Sequence, residues 1–223
     1  MHADSLNAQR IGLIADSHGN REATEAAIRL LQGLGADLLV HLGDFCDSVR
    51  HERTEEMIDL LREEGILAVK GNNDFLVESL LADPRRPADA RSKGTLSFLK
   101  TVPMMRVLDG IRFAHSLPFD ALRSFYEPID TGNTLRAAKL FAEADFRILF
   151  CGHSHIPVLF RNEGGQVTRE TMAPGEKRIF AAGRSGARFI AVVGAATNGE
   201  CALYDRGNGT YERLRIHSDL YAT

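Results

Sequence analysis

Short apolar runs alternate with segments of helical spacing through the first third of the chain. Residues 11–15 (IGLIA) are apolar between polar neighbours, the pattern of a strand buried on both faces. Residues 20–33 then place Ala23, Ala26, Ala27, Leu30 and Leu31 at helical spacing, and Gly33 and Gly35 stop that helix. A second buried strand is predicted over 37–42 (DLLVHL). The charged helix ERTEEMIDLLREEG follows, with Met57, Ile58, Leu60 and Leu61 on its apolar side, and then a third strand at 66–70 (ILAVK). This β-α-β-α-β order predicts parallel strands joined by right-handed crossovers.

The pattern then changes. Residues 83–94 (DPRRPADARSKG) carry two prolines and many charges, and read as a surface loop. Segments 104–108 and 111–115 flank Asp109-Gly110, a strong hairpin signal. A helix at about 133–144 leads into a strand at 146–151 (FRILFC). Further strands are expected at 177–182, 188–193, 200–205 and 210–216, with glycine or asparagine connectors that suggest antiparallel pairing. The expected architecture is α/β, two packed sheets with helices outside. No linker or internal repeat divides the chain, so residues 1–223 read as a single domain.

Composition narrows the function more than the fold. The 44% hydrophobic content supports a substantial core, and a formal net charge of −3 speaks against a duplex nucleic-acid partner. No run approaches the roughly 18 apolar residues that a membrane span needs. The opening MHADSLNAQR has no apolar signal-peptide core. Cys46, Cys151 and Cys201 are far apart and odd in number, which predicts buried thiols and a cytoplasmic setting. Self-association stays open.

The chemistry gathers just past the C-terminal ends of predicted strands. Asp16 and His18 follow IGLIA, Asp44 follows VHL, and Asn72 follows AVK. His115 closes IRFA, and His153 and His155 follow ILFC. In open α/β sheets that edge is where ligands bind. Asp16 and His18 are two apart, so on an extended backbone both would leave one face, and His153 and His155 repeat that spacing. Glycines at 43, 71 and 152 allow sharp turns and close backbone approach. Carboxylate, imidazole and amide oxygen suit Mn, Fe, Ni or Zn, with Mn favoured, and the lack of thiolate speaks against a structural zinc site. Two divalent ions would outweigh the charges of Asp16 and Asp44, draw in a phosphate anion and acidify a bridging water.

The series D-x-H, G-D, G-N-x-[DE], a strand-end His and G-H-x-H resembles the calcineurin-like metallophosphoesterase superfamily, and its small bacterial and archaeal phosphodiesterase branch in particular. The likeness spans residues 11 to about 160. It implies a four-layer α/β/β/α sandwich of two mixed sheets. It also implies one metal on Asp16, His18, Asp44 and His155, and a second on Asp44, Asn72, His115 and His153. Asp44, Asn72 and His115 then count as catalytic as well as metal-binding. The implied activity is hydrolysis of a small phosphate ester, a phosphodiester first, by attack of a hydroxide bridging two metals. A phosphomonoesterase, a dinucleoside polyphosphate hydrolase and a non-catalytic interaction module on the same fold are the alternatives. The chain departs from the family pattern at two places. Asn73 stands where many members carry a histidine that serves as acid or phosphate contact. Ser48 stands where the protein-phosphatase branch has an arginine.

Other polar residues have plainer readings. His41 reads as a hydrogen-bonded core histidine before a partner of the centre. Asn20 reads as a helix cap before a substrate contact. Asp47 and Asp74 are either capping residues or partners that orient ligands. Arg184 and Arg188 are either rim residues or surface arginines at a turn. His2, His51 and His217 read as solvated.

Overall fold

The computed structural model describes residues 8–50, 53–85, 89–180 and 186–216. The predicted alternation opens the chain as β1 (Arg10–Ile14), α1 (Arg21–Gly33), β2 (Leu38–His41), α2 (Thr54–Glu63) and β3 (Leu67–Ala68). These strands pair in parallel, Ile11 opposite Leu38 and Val40 opposite Leu67. Asn20 caps α1: its side-chain oxygen accepts from the Ala23 N–H at 3.0 Å, satisfying a donor that the first turn leaves open.

The chain continues through α3 (Asn72–Leu81), α4 (Ala90–Thr101), β4 (Met105–Leu108), β5 (Ile111–Ala114), α5 (Arg123–Tyr126), α6 (Leu135–Glu143) and β6 (Ile148–Cys151). It finishes with β7 (Val158–Glu163), β8 (Gln166–Thr171), β9 (Lys177–Ile179), β10 (Arg188–Val192), β11 (Glu200–Asp205) and β12 (Thr210–Arg215). Two mixed six-stranded sheets result, ordered β3-β2-β1-β11-β12-β9 and β4-β5-β6-β10-β7-β8.

Three apolar layers hold these sheets and helices together, and strand alternation assigns residues to them. Ile11 and Leu13 of β1 meet Phe113, Phe150 and Phe189 of the other sheet in the middle layer. Ile14, one residue on, faces Ala27, Leu31 and Met57 of α1 and α2. On the far side, Leu149, Cys151 and Ile190 pack on Ala137, Leu140 and Phe141 of α6. Helix, sheet, sheet and helix are therefore the four layers expected of the α/β/β/α sandwich. No helix among the described residues is long and apolar enough to cross a membrane.

Several local expectations change. The loop expected over 83–94 gives way to helix: the Asp89 side chain accepts from the Ser92 N–H at 2.8 Å and starts α4, while residues 86–88 lie outside the described residues. The charges at 91–94 lie on that helix, and its apolar contacts come later, at Thr95 and Leu99. Helix α3 begins within the G-N-N-D motif itself. The strand expected over 66–70 shortens to Leu67–Ala68, because Lys70 N–H turns to the Pro103 carbonyl at 2.8 Å. The hairpin of β7 and β8 around Gly164-Gly165 was not anticipated. Antiparallel pairing holds for β9, β11 and β12, whereas β10 joins the other sheet, antiparallel to β7 on one side and parallel to β6 on the other. Residues 181 and 182 of the expected strand 177–182 lie outside the described residues.

Candidate metal centre

The ends of β1, β2, β5 and β6 and the start of α3 meet at one edge of the sandwich. The loops after β1 and β2 run side by side, with Asp16 N–H donating to Gly43 O at 3.1 Å and His18 N–H to Asp44 O at 2.9 Å. The His153 N–H donates to both Asp16 carboxylate oxygens, at 3.0 and 3.2 Å, and so ties the two sheets together. Asp16, His18, Asp44, His153 and His155 all have positive φ, from 44° to 73°. Among the described residues only Asp109, in the hairpin turn, joins them as a non-glycine. The left-handed region costs an L-residue about 1 kcal/mol or more, so the packed cores hold strain at this edge. The extended backbone expected for the D-x-H and H-x-H pairs is therefore not what the loops adopt.

All seven predicted residues come together, in two groups. In the first, His155 Nε2 lies 3.0 Å from His18 Nε2 and 3.4 Å from Asp16 Oδ1. In the second, Asn72 Oδ1, His115 Nε2 and His153 Nδ1 stand 3.0–3.1 Å apart pairwise. Asp44 sits between, with Oδ1 3.6 Å from His115 Nε2 and Oδ2 4.0 Å from His18 Nε2. The D-x-H pair stays in one group while the H-x-H pair divides between the two.

The donor set fits divalent ions. Ligand atoms of Asp16, His18 and His155 lie within 4.8 Å of one another, as do those of Asp16, Asp44 and His115. Ligands about 2.1 Å from one ion and at right angles stand about 3.0 Å apart, close to the spacing of the second group. The Asn72 amide carries a further sign. Turned round, its nitrogen would donate to His153 Nδ1, His115 Nε2 and the Phe125 carbonyl. As it stands, its oxygen faces two ring nitrogens. The His115 Nδ1 is spent on the Leu42 carbonyl at 2.9 Å, which leaves Nε2 a lone pair in the neutral ring. Oxygen and nitrogen lone pairs converging on one point repel unless a cation lies between them.

Charge within the group is balanced. Burial pushes the Asp16 carboxyl up, but its hydrogen bond to His155 and the surrounding rings hold it below the usual carboxylate range. Burial works against a charge on His115, yet the Asp44 and Asp16 carboxylates outweigh it and raise its pKa. Burial, reinforced by His115, lowers that of His153. The hydrogen bond to Asp16 raises His155.

The backbone comes very close to these side chains. A Cβ on Gly71 would lie 2.2 Å from Asp44 Oδ1, and one on Gly152 would lie 2.6 Å from Asp16 Oδ2. Gly43, at φ +92°, would put a Cβ 2.7 Å from His115 Nδ1.

A supporting layer lies behind. Asp74 is fully buried, and accepts from the N–H groups of Asp44, Cys46 and Gly71 at 2.8–2.9 Å. It thus caps α3 and holds the Asp44 loop at once. Burial, with the nearby Asp44 charge, pushes its pKa up to about 7. His41 is a core histidine bonded to Ser17 Oγ at 2.8 Å, and Ser17 accepts from Thr24 at 2.8 Å. Asp47 accepts from the Val49 and Arg50 N–H groups, the turn-capping reading. All three cysteines are buried.

Arg188 is no rim residue. Its guanidinium donates to the carbonyls of Phe141, Ala144 and Phe146, where the last turn of α6 leaves acceptors open. Arg184, His2, His51 and His217 lie outside the described residues. Thr197, which the motifs did not flag, donates to the Asp16 carbonyl at 3.2 Å. It lines a cleft of about 360 Å³ with His18, Asn20, Asp47, Arg50 and Arg53. Nothing in the A-A-T-N stretch signals this, because it reaches Asp16 only through the fold.

A four-layer sandwich that collects carboxylates, imidazoles and an amide oxygen at one edge is the frame of a metal-dependent phosphoesterase. This chain belongs to the calcineurin-like phosphoesterase superfamily, whose domain matches residues 10–193. The family implies divalent metal ions. Among solved structures, a metallophosphoesterase from Sphaerobacter thermophilus is similar at 23% identity and TM-score 0.72, covering 95% of this chain and 89% of its own. A candidate diadenosine tetraphosphatase is similar at 15% identity and TM-score 0.55, covering 94% and 95%. A novel archaeal phosphodiesterase shows 15% identity and TM-score 0.46, covering 93% and 99%. The first two share the fold. No curated protein sequence matches significantly.

Proposed function

We propose that residues 1–223 act as one phosphodiesterase-type metallophosphoesterase domain. Asp16, His18, Asp44 and His155 would hold one divalent ion, and Asp44, Asn72, His115 and His153 a second. The observation that carries the reading is the position of Asp44, with one carboxylate oxygen toward each group of ligands. Bound there, two ions supply positive charge for the phosphoryl oxygens and acidify the attacking water. The protein's own residues orient and balance that charge: Asp16 and Asp44 offset part of it, and the His115 ring is aligned by the Leu42 carbonyl.

Asn73 bears on which ester is cut. Its amide cannot deliver a proton at neutral pH, so a poor alkyl leaving group gains no help from this position. Aryl diesters such as bis-nitrophenyl phosphate should therefore be better substrates than alkyl monoesters. A second reading, an ester carrying a further phosphate such as a dinucleoside polyphosphate, is favoured by Arg50 and Arg53 lining the cleft beside His18.

Metal analysis and activity together test the proposal. Chelated protein should be inactive, and Mn titration should restore hydrolysis as the stoichiometry approaches two ions per chain. Saturation at zero, or full activity without metal, overturns it. A leaving-group series at saturating Mn should show a steep dependence on leaving-group acidity, and a flat one removes the diester preference argued from Asn73.

A further inference from the structure

The two departures from the family pattern, Ser48 and Asn73, touch each other. Ser48 Oγ donates to Asn73 Oδ1 at 2.5 Å, and the Ser48 N–H approaches the same oxygen at 3.4 Å. An amide has one accepting end and one donating end. With its oxygen taken by Ser48, the Asn73 amide must turn its NH₂ the other way, and there it donates to Asp44 Oδ2 at 2.7 Å. The Asn73 backbone N–H donates to the other carboxylate oxygen, Asp44 Oδ1, at 2.8 Å. One residue thus grips both oxygens of the Asp44 carboxylate. Each oxygen keeps a second lone pair, and those face His115 and His18 respectively, at 3.6 and 4.0 Å.

The neighbours complete the grip. Asp74 holds the Asp44 backbone N–H at 2.9 Å and the Cys46 N–H at 2.8 Å. The loop from Asp44 to Ser48 is therefore folded over the first turn of α3, and Asn72, in the same turn, belongs to the ligand group. A carboxylate free to rotate about its χ angles would offer both oxygens to one side as readily as to two. Here rotation breaks two hydrogen bonds whose donors are fixed by a helix N-terminus and by Ser48.

We propose that Asn73 and Ser48 are a positioning pair that sets the plane of the Asp44 carboxylate, so that one oxygen serves each half of the centre. Ser48 selects the orientation of the Asn73 amide, and Asn73 selects the orientation of Asp44. The inference rests on the reading of Asp44 as a shared ligand. It gives position 73 a task other than proton transfer.

The test is Mn²⁺ binding to the chelated full chain, followed by calorimetry and by the electron paramagnetic resonance signal of an exchange-coupled Mn pair, which needs a bridge between the ions. Wild type should bind two ions and show the coupled signal. Asn73→Ala should weaken at least one site by about 10–100-fold, the range for partners that orient ligands, and lose the coupled signal. Asn73→Asp, which keeps the shape but sets a carboxylate against Asp44, should do worse. Ser48→Ala, at a partly exposed loop position, should weaken binding several-fold, and Ser48→Thr should restore it. In the Asn73→Ala background, Ser48→Ala should add nothing. Unchanged affinity and an intact coupled signal in Asn73→Ala overturn the inference, as do fully additive effects of the two substitutions. If wild type itself fails to bind two ions, the reading of Asp44 fails and the positioning role falls with it. Thermal melts of the metal-free variants within a few degrees of wild type separate loss of orientation from loss of fold.

Discussion

The two halves of the centre differ in how they are held. In one, His115 has a fully buried side chain, and its Nδ1 is fixed to Leu42. In the other, His18 and His155 keep 26% and 37% of their side-chain surface exposed, and His18 borders the cleft. The buried His115 ring is oriented before any ion arrives, since it has no alternative partner in water, while Asn72 and His153 beside it are half-buried. The half-exposed rings of His18 and His155, beside the buried Asp16, are the ones open to an entering molecule. On the proposed reading, substrate approaches on the His18 side, which borders the cleft.

The largest effect should come from the residue between the halves. Asp44→Asn is expected to lower kcat by more than about 100-fold, since orienting partners alone are worth about 10–100-fold. Steady-state kinetics with bis-nitrophenyl phosphate at saturating Mn is the measurement. Activity near wild type would mean that the two halves work without a shared carboxylate.

Stability separates the halves next. In metal-free protein, His115→Ala should cost about 2–4 kcal/mol, because it opens a cavity and strands the Leu42 carbonyl. His18→Ala should cost less than about 1 kcal/mol, the usual range for partly exposed sites. Urea unfolding of both variants decides. Equal losses would erase the distinction between a built half and an open one.

Acid response probes the layer beneath the open half. Burial pushes the His41 pKa down from 6.5 to about 3, so the folded state holds this ring neutral. The folded pKa is depressed, so the contribution is complete above the unfolded value near 6.5 and is lost as pH falls toward 3. Between pH 7.5 and 5 that loss amounts to about 2 kcal/mol, from roughly 1.5 units at 1.36 kcal/mol each. Metal-free wild type should therefore lose about that much more than His41→Gln when urea midpoints are compared at the two pH values. Matching losses would show that His41 does not set the acid sensitivity.

The same contrast explains what was legible in the sequence. The inner strands were plain because each is buried on both sides, and an unbroken apolar run says so. The seven candidate ligands are legible as strand-end donors, and the resemblance groups them. Helix α3 was hidden because its first turn, Asn72-Asn73-Asp74, is spent on the centre, and asparagine is a poor helix former. Helix α4 was hidden by charges on its exposed face. The β7–β8 hairpin carries a local signal, Gly164-Gly165 between β-prone residues. The left-handed backbone at Asp16, His18, His153 and His155 has only a weak marker at residue level, since Asp and His tolerate it better than most side chains, and long-range packing holds these positions there. Thr197 and the Ser48–Asn73 contact are likewise products of tertiary structure.

The smallest expected effect concerns what enters from the open side. Arg50 and Arg53 line the cleft beside His18, but their side chains are 84% and 59% exposed, and they lie near Asp47 and Glu22 at 3.3 and 3.9 Å. Exposed ion pairs contribute about 0–1 kcal/mol, so either arginine can change affinity by no more than about fivefold. Arg50→Ala and Arg53→Ala should raise KM up to that limit for an ester with a second phosphate, and leave a plain aryl diester unchanged. The increment should shrink as salt rises, because screened charges lose reach within about 10 Å at 0.1 M. KM for both substrate types, measured at low and high salt, decides between the readings. A salt-sensitive rise confined to the second-phosphate substrate would place that phosphate in the cleft and move the function toward the polyphosphate reading. An equal rise for both types would make the arginines a general attractor, and no change in either would leave the diester reading with the cleft as bare solvent space.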